Sequence, residues 1–149
     1  MAEITRKELI LALIGAGDVP RLAGLDLGAL DMTRLDMEKA NLRGAKAAGA
    51  TLREAILRSA NMTGMDLTVA QMSYADLNAA VLNAANLTGA NLTGARLTAA
   101  NLSNAVLNAA NMQGAALTGA IVTGIKFDEK TIWPDGKRGS QGDPLSYTK

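Results

Sequence analysis

The sequence predicts an all-β solenoid, because three patterns in it fit neither a helix nor an ordinary sheet. An apolar residue recurs at every fifth position from Leu22 to Phe127, and the register does not slip. Two positions before each of these centres the residue is alanine from Ala40 to Ala120, with Met65 as the exception. Strands repeat every two residues and helices every 3.6. Only 3% of the residues are aromatic although 48% are hydrophobic, so the interior is made of many small side chains.

Each five-residue unit is predicted to be one short extended side followed by a corner. The alanine and the centre lie two apart in an extended chain, so their side chains point the same way, into the interior. The other three positions are small or polar, as water-facing and corner residues are. We therefore expect Ala90 and Ala95 to be buried, and Thr88, Thr93 and Thr98 to be exposed.

Several units, among them "ADLNA", "ANLTG", "ANLRG" and "ANLSN", match a known repeat as they stand. They resemble the pentapeptide-repeat family, whose pattern is A(D/N)LXX, and the resemblance covers about residues 25–129. It implies the fold of that family, a right-handed quadrilateral β-helix, here with about five coils of four pentapeptides.

Residues 1–20 are predicted to form an N-terminal capping helix and a turn, because a stack of coils needs a cover at its end. Thr5 and Glu8 have the spacing of a capping box. The packing face of this helix is predicted to consist of Leu9, Ile10, Leu13 and Ile14. A secretory signal would look similar, but the apolar run is short, acidic residues flank it and no cleavage site follows. We therefore expect a cytoplasmic bacterial protein.

Residues 21–129 are predicted to form the β-helix, and residues 130–149 a C-terminal cap and a mobile tail. Ile132 and Trp133 are expected to fold over the last coil, whereas the segment after them is polar and rich in turn residues. Several relatives dimerise end to end through this terminus, so the resemblance implies a weak homodimer. Its candidate edge comprises Val122, Phe127, Ile132 and Trp133.

The chemistry of the chain argues against an enzyme. It has no cysteine and no histidine, which removes thiol nucleophiles, the commonest general base and the commonest transition-metal ligand. Asp26, Asp31, Asp36, Asp66 and Asp76 precede centres, where asparagine stands in other repeats, so they are expected to bond corner amides. A filled interior also leaves no pocket. We expect no catalytic residue, metal, cofactor or small-molecule substrate.

The outward surface carries the remaining functional hints. The net charge of +1 predicts no strong attraction to nucleic acid or to a membrane. Apolar residues replace polar ones at a few outward positions, and these are the candidate contacts with a partner: Ile56, Tyr74, Val81, Val106 and Ile121.

Two functions follow. The favoured one is a non-catalytic solenoid that serves as a rigid protein-binding surface or scaffold for an unknown protein partner. The alternative comes from the resemblance, because some relatives mimic DNA, bind DNA gyrase or topoisomerase and protect it from quinolones. That activity needs an acidic rod, whereas residues 22–127 carry seven carboxylates and eight basic groups.

Overall fold

The computed structural model describes residues 2–149, which form a right-handed four-sided β-helix with a helix at its N-terminal end. Parallel bridges join each residue that precedes a centre to the residue 20 positions later, from Arg21 and Asn41 to Val106 and Lys126. Five coils occupy residues 21–120, and a sixth begins at residue 121. Each side of a coil contributes a single bridge, and the described residues contain no longer strand. We number the sides 1 to 4 by their first-coil residues, which are Arg21, Asp26, Asp31 and Asp36.

The repeat at 86–90 shows why asparagine or aspartate precedes the centre. Three of its backbone N–H groups donate to carbonyls of the neighbouring coils, and that of Ala90 donates to the Leu87 carbonyl and closes the corner at 3.0 Å. The N–H of Thr88 is left over, and it donates to Oδ1 of Asn86 at 3.1 Å. Where asparagine or aspartate precedes the centre, its Oδ1 thus completes the backbone hydrogen bonding of the repeat.

The same two-residue bond confirms the interpretation of the carboxylates. Oδ1 accepts from the N–H two residues later at each of these positions: Asp26, Asp31, Asp36, Asn41, Asn61, Asp66, Asp76, Asn91, Asn101 and Asn111. Aspartate and asparagine are interchangeable there because the bond needs only an acceptor.

The corners are type II turns, which the sequence pattern did not specify. The carbonyl of the centre accepts from the N–H three residues later, and the residue before that donor has a positive φ. Glycine fills this position at Gly89 and Gly94, but Ala84 has a φ of 56° there and Val69 a φ of 51°. The last is unfavourable, since a β-branched residue rarely adopts a left-handed conformation.

The interior follows the prediction, and the threonines depart from it in part. Ala90 and Ala95 are completely buried, and the core runs without a break from the first coil to the last. Thr98 is exposed, but Thr88 and Thr93 are only half-exposed. The hydroxyl of Thr88 turns back to Oδ1 of Asn86 at 2.7 Å, which draws the side chain toward the wall.

Helix α1, Arg6–Gly15, covers part of the N-terminal end. The predicted capping box is present, with the Thr5 N–H donating to the Glu8 carboxylate at 2.6 Å. Leu9 is completely buried, whereas Ile10 and Leu13 are only partly buried and pack against the edge of the core. Ile14 is 77% exposed, so its assignment to the packing face is wrong. The last turn of α1 stands off the first coil across a groove, and Ile14 lines that groove.

The C-terminal cap begins with a one-residue shift of register. Ile132 pairs with Asn111, 21 rather than 20 positions earlier, so Trp133 takes the inward place of a centre and is 1% exposed. Two 3₁₀ helices follow, Gly139–Gln141 and Pro144–Thr148. The structure therefore folds the segment for which the sequence predicted a mobile tail, because Tyr147 stacks on the indole of Trp133.

Candidate functional site

The five candidate contact residues are spread around the barrel. Val81 and Ile121 lie on side 1, with Asn101 bridged to both of them. Val106 lies on side 2 and Ile56 on side 4, where both are half-buried between the residues above and below. Tyr74 occupies the corner between sides 3 and 4. The structure therefore does not bring these five residues together into one patch.

Tyr74 does have an exposed apolar neighbour at the previous corner, Val69. The Tyr74 side chain is 61% exposed, and both residues have positive φ angles, 60° and 51°. Each side chain leans over a glycine of the next coil. A Cβ at Gly94 would lie 2.5 Å from the Tyr74 ring, and one at Gly89 would lie 3.0 Å from Val69. Glycine in the next coil therefore makes room for each large corner residue.

In the third coil, the stretch of side 3 between these corners has no charged side chain. Nε2 of Gln71 donates to the Val69 carbonyl at 3.2 Å, and its Oε1 accepts from Nδ2 of Asn91 at 3.3 Å. Ser73 is buried beside Tyr74. Gln71 is therefore held by the backbone and by Asn91, while the two apolar corner residues remain in solvent.

Charge is concentrated in the first coils, where it forms ion pairs between adjacent coils. Arg34 contacts Glu54 at 2.7 Å and Arg58 contacts Glu38 at 3.1 Å, as expected for residues 20 apart. The bond from Arg34 lowers the pKa of Glu54. Between residues 77 and 127 the only charged side chains are Arg96 and Lys126.

At the N-terminal end the edge of the first coil is only partly capped. Glu3 caps side 2, since its N–H donates to the Asp26 carbonyl at 2.8 Å. The Arg6 guanidinium caps side 3 by donating to the carbonyls of Asp31 at 2.5 Å and Thr33 at 2.9 Å. On side 4, no described residue bonds the N–H or carbonyl of Asp36.

A groove of about 460 Å³ separates α1 from this open edge. Leu35, Asp36, Glu38 and Lys39 form its coil wall. The helix wall and the loop after it contribute Ile10, Leu13, Ile14, Gly17, Asp18 and Pro20. Sequence analysis missed this site, although a signal existed: residues 9–17 contain no polar side chain, whereas an end cap needs only one apolar face.

The candidate dimer edge at the other end is largely covered. Trp133 is enclosed by Phe127, edge-on at 5.0 Å, and by Tyr147, stacked at 5.9 Å, and its Nε1 donates to the Gly139 carbonyl at 2.7 Å. Val122 is buried and Ile132 is half-buried, so only Phe127 of the four is exposed. Trp133 therefore offers no surface to a second copy.

Asp135 stabilises the C-terminal cap through a hydrogen bond and an ion pair. It accepts a hydrogen bond from the Tyr147 hydroxyl at 2.8 Å and pairs with Lys137 at 2.9 Å. Hydrogen bonding from Lys137, more than that from Tyr147, lowers the pKa of Asp135 to about 2. Burial, together with the bond to Asp135, raises the pKa of Tyr147 to about 12.

A second groove, of about 640 Å³, lies between the end of α1 and the start of side 1, and its lining residues are Ala12, Ala16, Asp18, Val19, Pro20, Arg21 and Leu22. In the part of the chain that the structure describes, no cluster of acidic, histidine or cysteine side chains could hold a metal ion. Within residues 2–149 no helix has the length and hydropathy needed to cross a bilayer.

The repeat architecture of this chain is similar to that of known proteins. The chain is 26% identical to the pentapeptide repeat protein Rfr23 of the cyanobacterium Cyanothece 51142, with a TM-score of 0.78, covering 85% of this chain and 99% of that one. It is 31% identical to HetL of Nostoc sp. strain PCC 7120, a protein involved in heterocyst differentiation regulation, with a TM-score of 0.35 and coverage of 80% and 62%. A pentapeptide repeat protein from the Arabidopsis thaliana thylakoid lumen is 35% identical, with a TM-score of 0.43 and coverage of 67% and 66%.

No curated protein matches the sequence. A family model described as pentapeptide repeats does match, in eight copies, over residues 36–70, 48–83 and 85–124, which together exceed half of the chain. Since these matches coincide with the coils that the bridges define, the chain belongs to the pentapeptide repeat family.

Proposed function

We propose that this protein is a non-catalytic, rigid module that binds another protein through its outward surface. One observation carries the proposal: Val69 and Tyr74 keep large apolar side chains in solvent at corners where a positive φ disfavours them. Glycine occupies the same position in many repeats, so the fold itself does not need these residues. Strain of about 1–3 kcal/mol at an exposed position is typical of functional sites.

The surroundings of the two corners support a protein partner. Tyrosine is enriched and charge is depleted at the centres of protein interfaces. Within the third coil the face between Val69 and Tyr74 carries no charged side chain, and Gln71 is held by the Val69 carbonyl and by Asn91. This face stands on stacked backbone ladders. Such a surface loses little conformational entropy on binding.

Photo-crosslinking in the source cells tests this function. A benzoylphenylalanine residue at Tyr74 is expected to capture one predominant protein. The same residue at Ala84, an exposed position at the diagonally opposite corner between sides 1 and 2, is the matched control. Capture at position 74 that the Val69→Asp variant abolishes would support the proposal. Equal labelling from both positions, or none from position 74, would contradict it.

Binding to gyrase as a DNA mimic requires a different electrostatic field. DNA carries one negative charge per about 1.7 Å of its axis, whereas the coils of this chain have a slight excess of basic groups. A supercoiling assay with and without a quinolone separates the two functions. We expect no inhibition and no protection at a stoichiometric amount of this protein.

A further inference from the structure

We infer that the groove between α1 and side 4 of the first coil binds an extended, basic peptide segment of a partner protein, which pairs with the coil as an added β-side. This inference goes beyond the proposed function, because the groove lies at the N-terminal end and not beside Tyr74. It also names the chemistry of the segment that binds.

The backbone of the first coil supplies the pairing groups. In the third coil the Asp76 N–H donates to the carbonyl of Ala55 at 2.9 Å, and the Asp76 carbonyl accepts from Leu57 at 2.8 Å. Asp36 is the same position two coils earlier, and no described residue bonds its N–H or its carbonyl. The Glu38 carbonyl is likewise unbonded within residues 2–149. One donor and two acceptors thus present the pattern that one more pentapeptide side would complete.

The neighbouring side shows that such an edge is bonded when a donor is at hand. On side 3, Arg6 donates to the Asp31 and Thr33 carbonyls, which correspond to those of Asp36 and Glu38 on side 4. Side 4 has no counterpart to Arg6 among the described residues. The N–H and carbonyl of Arg21 on side 1 are also unbonded within residues 2–149, but only the edge of side 4 faces the groove that Leu35, Asp36, Glu38 and Lys39 line.

The opposite wall of the groove is apolar. Ile14 is exposed, Leu13 is half-buried, and Leu35 closes the floor between them. An extended segment turns alternate side chains toward the same face. A segment with two apolar residues two apart would cover this wall while its backbone pairs with Asp36. The volume, about 460 Å³, lies within the range of about 300–1,000 Å³ typical of ligand sites.

The charges that line the groove indicate that the other side chains of the segment are basic. Asp18, Asp36 and Glu38 line the groove, against the single cation Lys39. Arg58 already pairs with Glu38 at 3.1 Å, so Asp18 and Asp36 are the carboxylates placed to attract lysine or arginine. Complementary charge on the segment would favour its approach and fix its register.

The probe for this site is the hexapeptide acetyl-Ala-Lys-Leu-Arg-Gly-Lys-amide, titrated into the ¹⁵N-labelled full chain. Its alanine and leucine match the inward positions of a repeat, and its leucine N–H would donate to the Asp36 carbonyl. We expect saturable shifts of the Asp36, Glu38 and Ile14 amide signals, with a dissociation constant below about 1 mM. The same peptide N-methylated at leucine lacks the donor and is expected to bind at least about tenfold more weakly.

Two matched variants locate the binding. Ile14→Asn removes apolar wall and is expected to weaken binding about tenfold, whereas Ile121→Asn, an exposed isoleucine at the far end, is expected to leave it unchanged. No saturable shifts, equal binding of the N-methylated peptide, or equal effects of the two variants would each overturn the inference. None of these outcomes bears on cross-linking at Tyr74, so the proposed function is tested separately.

Discussion

The two ends of the coil stack are covered by different means. At the C-terminal end an aromatic side chain enters the interior, since Trp133 takes the place of a centre and Phe127 and Tyr147 enclose it. At the N-terminal end α1 buries only Leu9 completely, and its last turn leaves Ile14 in solvent beside an unpaired edge. The C-terminal cover therefore extends the hydrophobic core, whereas α1 packs only against its edge. The difference indicates that the packing and hydrogen bonding of the coil stack are less complete at the N-terminal end than at the C-terminal end.

The largest expected effect comes from removing the aromatic cover. Trp133→Ala empties the inward position of the last coil, and truncating a buried tryptophan costs about 3–5 kcal/mol. Ile14→Ala, its counterpart at the other end, is expected to change the free energy of unfolding by less than about 0.5 kcal/mol, because that side chain is exposed. Denaturant unfolding followed by circular dichroism measures both. Similar losses from the two variants would mean that the N-terminal cover is as closely packed as the C-terminal one.

Between the ends the coils should tolerate no extra volume. Ala90→Leu places three more carbon atoms where the backbone approaches the axis, and overpacking is expected to cost about 1–3 kcal/mol. Thr98→Lys, on an exposed outward position, is expected to cost less than about 0.5 kcal/mol. The same unfolding experiment compares them, and the reverse order would contradict the assignment of inward and outward faces.

A smaller effect of opposite sign is expected at the strained corner. Val69→Gly removes a β-branched side chain from a φ of 51°, and we expect the protein to become about 1 kcal/mol more stable. Ala84→Gly, at a φ of 56° in the next coil, is the control without a branched side chain and should gain less. The gain at position 69 should accompany a loss of the partner captured at Tyr74. A destabilised Val69→Gly variant would show that the contact of Val69 with Gly89 outweighs the strain.

The C-terminal cover should also respond to pH. The pKa of Tyr147 rises from 10.0 to about 12, so its stabilising contribution is complete below pH 10 and is lost as the pH rises through 12. The pKa of Asp135 falls from 3.8 to about 2, so its contribution is complete above pH 4 and is lost as the pH falls through 2. Trp133 is the only tryptophan, and its fluorescence reports this cover directly.

The Tyr147→Phe variant is the control for the alkaline transition. It keeps the stacked ring and lacks the ionisable hydroxyl, so the fluorescence change between pH 10 and 12 should disappear while the acid change is reduced only in part. An unaltered alkaline change in this variant would assign the transition to another group.

Sequence reasoning was most successful where structure depends on residues near in the chain. A typical repeat contains its own inward alanine, its own corner and the bond from the Asx oxygen to the N–H two residues later. The roles of Asn86 and Ala90 could therefore be predicted from the pattern. The covers depend on contacts between distant residues. Nothing in the sequence around Tyr147 indicates that its ring lies on Trp133, and the groove arises from the angle at which α1 crosses the first coil. The exposed Ile14 could have been anticipated, since the second half of α1 has no polar face.

Amide hydrogen exchange at equivalent positions of side 4 tests the central difference most directly. In Ile56, Asp76 and Arg96 the N–H donates to the coil below at 2.9 Å, whereas the N–H of Asp36 has no acceptor among the described residues. We expect the Asp36 amide to exchange at nearly the rate of an unstructured chain, and the other three to be slower on the order of a hundredfold or more. Protection of Asp36 equal to that of Asp76 would show that the first coil is already paired, and would contradict an open N-terminal edge.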